Sequence, residues 1–244
     1  MTREHHGPAA QEREISFVTA MTPRNPSVAA AEQGIALVTV LIVTMVVATL
    51  SAAIVLVVMS NSLASANHAA AQQALYAADA ALEETIAELR TTDWRVLPGG
   101  GISLRLRDGS ASPRAPDGTP VAVARLQAAL QTDADARFGA GRNRPVWHLF
   151  GRASYGDLLP GLIVPPAYLV VWMADDGDEG DGDPERDSNQ VVLVRSETFG
   201  GGGAHRTLEA TLALQTAPAA VVDADAPPPP ARREVRVLSW REVR

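Results

Sequence analysis

Gly34 is followed by Ile35–Met59, IALVTVLIVTMVVATLSAAIVLVVM, a run without charge, proline or glycine. About 20 apolar residues carry a helix across the hydrocarbon core of a bilayer. Lipid offers no partners to backbone N–H and C=O groups, so a lone crossing segment must be helical. The helical signal continues beyond this run. From Ser60 to Arg90 the chain is rich in Ala, Gln and Glu and lacks Pro and Gly, a composition that favours helix. Leu75, Ala78, Leu82, Ile86 and Leu89 recur at spacings of three and four, which places them on one face, while Glu83, Glu84, Glu88 and Arg90 point elsewhere. The reading is one helix from Ile35 to Leu89, about 80 Å long at about 1.5 Å per residue. Its first half is apolar all round, and its second half carries one stripe that needs a partner.

The junction Gly34-Ile35-Ala36-Leu37-Val38-Thr39 and the later run Gln73-Ala74-Leu75-Tyr76-Ala77-Ala78-Asp79-Ala80-Ala81-Leu82-Glu83 resemble the N-terminal helix of type IV pilins and type II secretion pseudopilins. The second run is similar to the A-x-x-A-A-[DE]-A-x-[LE] signature of the PilX-type minor pilins. The resemblance spans residues 25–90 and fades beyond them. It implies a prepilin leader cut after Gly34 by a prepilin peptidase, with methylation of the new N-terminus at Ile35. It also implies a single pass of the bacterial inner membrane, N-terminus cytoplasmic and globular domain periplasmic, with the subunit at a pilus tip after assembly. Its partners would be other minor pilins, the pilus assembly machinery and inner-membrane lipid. One departure stands out. The fifth mature position, glutamate in most major pilins, is Thr39 here, which resembles PilX-like and K-type tip subunits more than a bulk pilin.

Without the resemblance, Ile35–Met59 reads equally as a plain single-pass anchor, in which Thr39, Thr44, Thr49 and Ser51 bond back to helix carbonyls. Residues 1–34 are polar, hold Pro8, Pro23 and Pro26, and contain no apolar core of a secretory signal. They are expected to be a disordered cytoplasmic leader, starting at Met1 or Met21, and His5-His6 within it carries no metal argument. The positive-inside signal is weak, since Arg24 and Arg13 are partly offset by Glu32. At 244 residues the chain has room for the helix plus one domain of about 100–150 residues. A net charge of −7 and a pI near 5.2 give nucleic-acid binding no electrostatic support. The absence of Cys and Lys excludes disulfides, thiol nucleophiles, Schiff bases and phosphate-loop lysines.

Past the helix, Thr91-Thr92-Asp93 and Pro98–Gly101 mark a stop, and residues 91–216 read as a β-rich domain. Ile102–Arg107 alternates as a half-buried strand. Residues 108–120 are loop, Val121–Leu130 suits strand or short helix, and Asp133–Pro145 is loop again. Pro145–Phe150 is a strand, Gly151–Pro166 is broken, and Ala167–Trp172 is apolar enough to be central. Gln190–Arg195 and His205–Leu214 complete the sheet, joined by a turn at Gly200–Gly203. The fold class is α+β and pilin-like: a mostly antiparallel sheet against the second half of the long helix. Residues 217–231, with Pro227–Pro230, form a stiff linker. Residues 232–244 are either a frayed basic tail or a strand added to a sheet edge, the chain's own or a neighbour's.

The chemistry-bearing candidate is the acidic loop 175–187, DDGDEGDGDPERD. Calcium takes carboxylate and carbonyl oxygens from alternate residues of a glycine-bearing loop, and Asp181, Asp183 and Asp187, joined by Asp176, supply such a set. Arg186 breaks the EF-hand pattern, and a solvated loop is the competing reading. No catalytic constellation is legible. His148 and His205 are the histidines of the globule, and Gly151-Arg-Ala-Ser-Tyr-Gly156 misses the nucleophile-elbow spacing, so an enzyme is not expected. Three functions remain: a PilX-type minor pilin priming pilus assembly, a type II secretion pseudopilin, and an envelope-anchored binding module.

Overall fold

The computed structural model describes residues 26–100, 102–139, 144–217 and 232–243. The chain divides into two units, residues 1–59 and 60–244. Helix α1 runs Pro26–Leu89. It begins at Pro26 rather than at Ile35, so the helix is not punctuated at Gly34. Proline is favoured in a first helical turn, where its missing N–H would be unpaired in any case, and Ala29-Ala30-Ala31-Glu32 then supplies strong helix formers. The rest of the expected leader, residues 1–25, lies outside the described residues. In the first unit every side chain from Ile35 to Met59 is exposed, and this helix is long and apolar enough to cross a membrane.

In the second unit the α1 residues Ala74, Ala77, Ala78, Ala81, Leu82, Thr85, Ile86 and Leu89 are buried, and Leu75 is half-buried. The stripe is therefore centred on alanines as much as on leucines. Short side chains let the helix come close to the sheet. The Ser196 hydroxyl donates to the Ala78 carbonyl (2.9 Å), and a Cβ placed on Gly200 would meet the Ala74 Cβ at 3.2 Å. The end of α1 is sealed by Trp94, whose Nε1–H donates to the Leu89 carbonyl (2.8 Å), and by Thr92, whose hydroxyl donates to the Glu88 carbonyl. Both satisfy acceptors that a helix end leaves open.

The sheet contains β1 (His148–Ser154), β2 (Ala167–Asp175), β3 (Val191–Gly200), β4 (His205–Ala217) and β5 (Arg232–Val243) in the order β1-β2-β3-β4-β5. Each neighbouring pair is antiparallel. Every residue of β2 is buried, because both sheet faces are covered. Leu169, Val171 and Met173 share a cluster with Leu82, Ile86 and Leu89 of α1. Tyr168, Val170 and Trp172 pack in a second cluster with Leu130 and Ala134 of helix α2 (Val123–Phe138). A strand covered on both faces reads as a continuous apolar run rather than an alternating one.

Three sequence expectations are corrected. Val121–Leu130 resolves as the start of α2, which continues through the presumed loop at Asp133 to Phe138. An i,i+4 ion pair, Arg137 to Asp133 at 3.2 Å, and the burial of Leu130 and Ala134 carry it on. Ile102–Arg107 is not a strand: Leu106 is 1% exposed, but Ile102 and Leu104 are 72% and 76% exposed. The Glu88 carboxylate accepts from the Ser103 hydroxyl (2.6 Å) and the Leu104 N–H, bending the segment before it can align. It lies so close to β1 that a Cβ on Gly151 would meet the Leu106 Cβ at 2.6 Å. Finally, β1 ends at Ser154 and leads into a short helix, α3 (Tyr155–Leu158), where the sequence indicated only a broken connection.

The C-terminal alternative resolves as well: residues 232–243 form β5 on the chain's own β4. Arg241 of β5 donates through Nε to Glu209 of β4 (2.7 Å), and Glu209 also meets Arg195 of β3 (3.2 Å). Trp240 remains 51% exposed, so backbone pairing and this carboxylate, not the indole, hold the strand. Of the expected linker, residues 217–231, Ala217 ends β4, and residues 218–231 lie outside the described residues.

The alanine contact predicts an asymmetry between two substitutions. Leu82→Ala should cost about 2–5 kcal/mol through lost burial and a residual cavity. Ala78→Leu should also destabilise, by about 1–3 kcal/mol, because added methylenes force the helix off β3. Thermal unfolding of the full chain in detergent measures both, and tolerance of Ala78→Leu would contradict the close packing.

Candidate functional site

The sequence-derived sites fall in two places. Gly34, Ile35 and Thr39 are within α1, and the Thr39 hydroxyl donates to the Ile35 carbonyl (2.9 Å). The threonine is thus engaged by its own helix and carries no carboxylate. The acidic residues lie between β2 and β3, in the second unit.

That loop separates into a buried inner group and an exposed outer turn. Asp175 is the last residue of β2 and, two and four residues beyond Met173 and Val171, shares the side of the strand that packs towards α1. It is 1% exposed, and Asp187 is 2% exposed. Both Asp175 carboxylate oxygens and Asp187 Oδ2 are buried without a hydrogen-bond partner. One oxygen each from Asp175, Asp176 and Glu179 lie within 4.8 Å of one another.

The rest of the loop is organised to hold these groups in place. The side-chain amide of Asn189 donates to Asp176 Oδ1 (2.9 Å). Glu179 accepts from the backbone N–H groups of Ser188 (2.9 Å) and Asn189 (2.8 Å). Asp187 Oδ1 accepts from the N–H of Gln190 (2.7 Å) and of Val191 (3.2 Å), which fixes the entry to β3. Gln190 there adopts a φ of 66°, a backbone region that costs a residue with a Cβ about 1–2 kcal/mol.

Of the sequence-predicted calcium set, the structure brings Asp176 into this group and Asp187 beside it. Asp181 and Asp183 are exposed and point their carboxylates at the turn: Asp181 Oδ1 accepts from the Asp183 N–H (3.1 Å), and Asp183 Oδ1 from the Glu185 N–H (3.2 Å). The residues that sequence reasoning missed are Asp175 and Glu179. The signal for Asp175 was present, because extending the central strand past Trp172 puts it in register with Val171 and Met173. Regular alternation of acids drew attention to the outer turn instead.

Electrostatics follow the geometry. Burial, then the charges of Glu179, Asp187 and Asp176, push the Asp175 carboxyl up to about 8. The nearby N–H of Asp176 offsets part of this without making a hydrogen bond. Burial raises Asp187 to about 6 against the opposing help of the Gln190 and Val191 N–H groups. Burial also raises Asp176. Acids whose pKa values climb together are groups held against their preference for water. Their oxygens form the hard, anionic donor set that suits calcium. Elsewhere in the unit, Tyr168 donates to Asp108 Oδ2 (2.7 Å), a contact that, with burial, raises the phenol and helps lower the carboxyl.

Compared with known proteins, the chain matches no family model, no curated protein and no solved structure.

The raised acids set a sign for stability against pH. An acid with a folded pKa above its ordinary 3.8 keeps a proton that the unfolded chain has released, so its folding contribution falls as pH rises. For Asp175 the loss runs from about pH 4 to about pH 8, and Asp187 adds to it up to about pH 6. The unfolding midpoint of the metal-free full chain, followed in chelator and detergent, should decline across that window. Asp175→Asn should flatten the decline above about pH 6.

Proposed function

We propose that the chain is a minor pilin-like subunit of the PilX type, acting in type IV pilus assembly at or near the tip. The observation that carries this reading is α1 itself. Its residues 35–59 present an apolar surface on every side, and its residues 74–89 bury an alanine-rich face against an antiparallel sheet. Membrane insertion suits the first segment, and a globular head suits the second. The Gly34-Ile35 junction at the polar-to-apolar boundary supports processing there. A peptidase needs an extended substrate, and glycine inside a helix weakens it by about 0.5–1 kcal/mol relative to alanine.

Mass determination of the membrane-extracted protein tests this. In cells with an active prepilin peptidase the chain should start at Ile35 and carry an added methyl group. Gly34→Glu should leave a heavier, unprocessed precursor in the membrane. A wild-type chain that retains residues 21–34 in such cells overturns the reading.

The same reading makes the protein a low-copy subunit. In a homopolymer each terminal amine would lie near a neighbour's fifth mature residue, and Thr39 offers no carboxylate there. A charge unpaired at the bilayer centre costs about 2.5–3.5 kcal/mol, and less near the interface. A subunit at the tip incurs no such cost for a neighbour above it. Overexpressed alone, the protein should form no filaments by electron microscopy, and abundant homopolymeric fibres would contradict the tip placement.

A further inference from the structure

We propose that Asp175, Asp176, Glu179 and Asp187 form a calcium site that locks the β2–β3 connection. The inference stands independently of the pilin reading, since it rests on the second unit alone.

A row of acids is no site by itself, and the exposed Asp181–Asp183 turn illustrates this. The inner group differs in one respect. Asp175 is 1% exposed, yet neither of its oxygens has a partner. A buried carboxylate without a hydrogen bond is costly and is normally paired or metal-bound. One Asp175 oxygen lies within 4.8 Å of one oxygen each from Asp176 and Glu179. Asp187 adds a second buried oxygen, Oδ2, likewise without a partner. The loop is held by Asp176 Oδ1, which accepts from Asn189, and by Asp187 Oδ1, which accepts from the N–H groups of Gln190 and Val191. Both Asp175 oxygens and Asp187 Oδ2 are thereby left for a ligand.

Coordination chemistry separates the candidate cations. Oxygens on opposite sides of calcium, each at about 2.3–2.6 Å, stand about 4.6–5.2 Å apart, whereas around magnesium, at about 2.0–2.1 Å, they reach only about 4.2 Å. Three of the oxygens lie within 4.8 Å of one another, close enough to share one calcium ion, whereas magnesium demands near-octahedral geometry and dehydrates reluctantly. Three converging carboxylates, with Asp187 beside them, also favour a divalent ion over sodium or potassium through simple Coulomb attraction. Calcium binding would offset the mutual repulsion of these carboxylates.

The test is thermal unfolding of the full chain in detergent, stripped with chelator and then titrated with calcium chloride or magnesium chloride alone. Calcium about a hundredfold above its Kd should raise the midpoint by about 5–10 °C for a chain of this size, and magnesium at equal concentration by less. Asp175→Asn keeps the side chain's shape and removes the carboxylate that would bind the ion. It should fold with an unchanged or higher metal-free midpoint and lose the calcium response. Asp187→Asn retains an oxygen for the Gln190 and Val191 N–H groups and should weaken the response. Asp181→Asn/Asp183→Asn should retain it in full. The proposal is overturned if wild type shows no shift at millimolar calcium, or if the shift survives in Asp175→Asn. Loss of the shift only in Asp181→Asn/Asp183→Asn also overturns it, by moving the ion to the outer turn.

Discussion

The second unit depends on how closely one helix can approach one sheet. Ala74, Ala77, Ala78 and Ala81 present almost no side chain to β3, and Gly200 and Ser196 answer them from the strand. Close approach lets the longer residues further along, Leu82, Ile86 and Leu89, reach Leu169, Val171 and Met173 on β2. It also brings Ser196 within bonding distance of a mid-helix carbonyl, so a buried hydroxyl is satisfied by the helix itself. The burial of both faces of β2 follows, since α2 covers the opposite side. The position of Asp175 at the end of that strand follows in turn, because a strand buried on both faces carries its last residue into the interior.

Much of this was legible in the sequence. The apolar run, the stripe at Leu82, Ile86 and Leu89, the central strand and the glycine turn at Gly201–Gly203 are local signals, and each corresponds to an element. What failed was decided by contacts distant in the chain. Ile102–Arg107 alternates like a strand, but Glu88 captures the Ser103 hydroxyl and the Leu104 N–H across the end of α1, and no periodicity reports that. The second half of α2 looked like loop because Thr132, Asp133 and Asp135 are weak helix formers, and packing of Leu130 and Ala134 against Trp147 and Trp172 outweighs them. In the acidic loop, sequence reasoning pointed to the right neighbourhood and to Asp176 and Asp187, but passed over Asp175 and Glu179. Alternation marks which acids are evenly spaced, whereas burial depends on which of them the strand carries inward.

The acidic loop and the alanine face solve opposite problems. The helix–sheet contact is stable without charge, and its cost is steric. The Asp175 group accepts an electrostatic cost that apolar replacements would avoid, and natural proteins retain such groups where they serve a purpose other than raw stability. Its location is consistent with that view. It joins the central strand to β3, so an ordering of the loop is transmitted directly into the two strands that bear most of the core.

Strand β5 carries a consequence of another kind. It is separated from β4 by the proline-bearing stretch 218–231, and it is the only described strand on the far side of β4. During synthesis the four earlier strands are complete while β4 still presents 13 residues of unpaired edge. An uncovered edge of that length accepts any strand of suitable sequence, and the β5 of another copy is identical to the chain's own. Closure is then a contest between intramolecular docking, whose effective concentration is set by the connecting stretch, and capture by a neighbour. Crowding alone, with no change in sequence, would tilt that contest and turn a self-contained sheet into one shared between molecules.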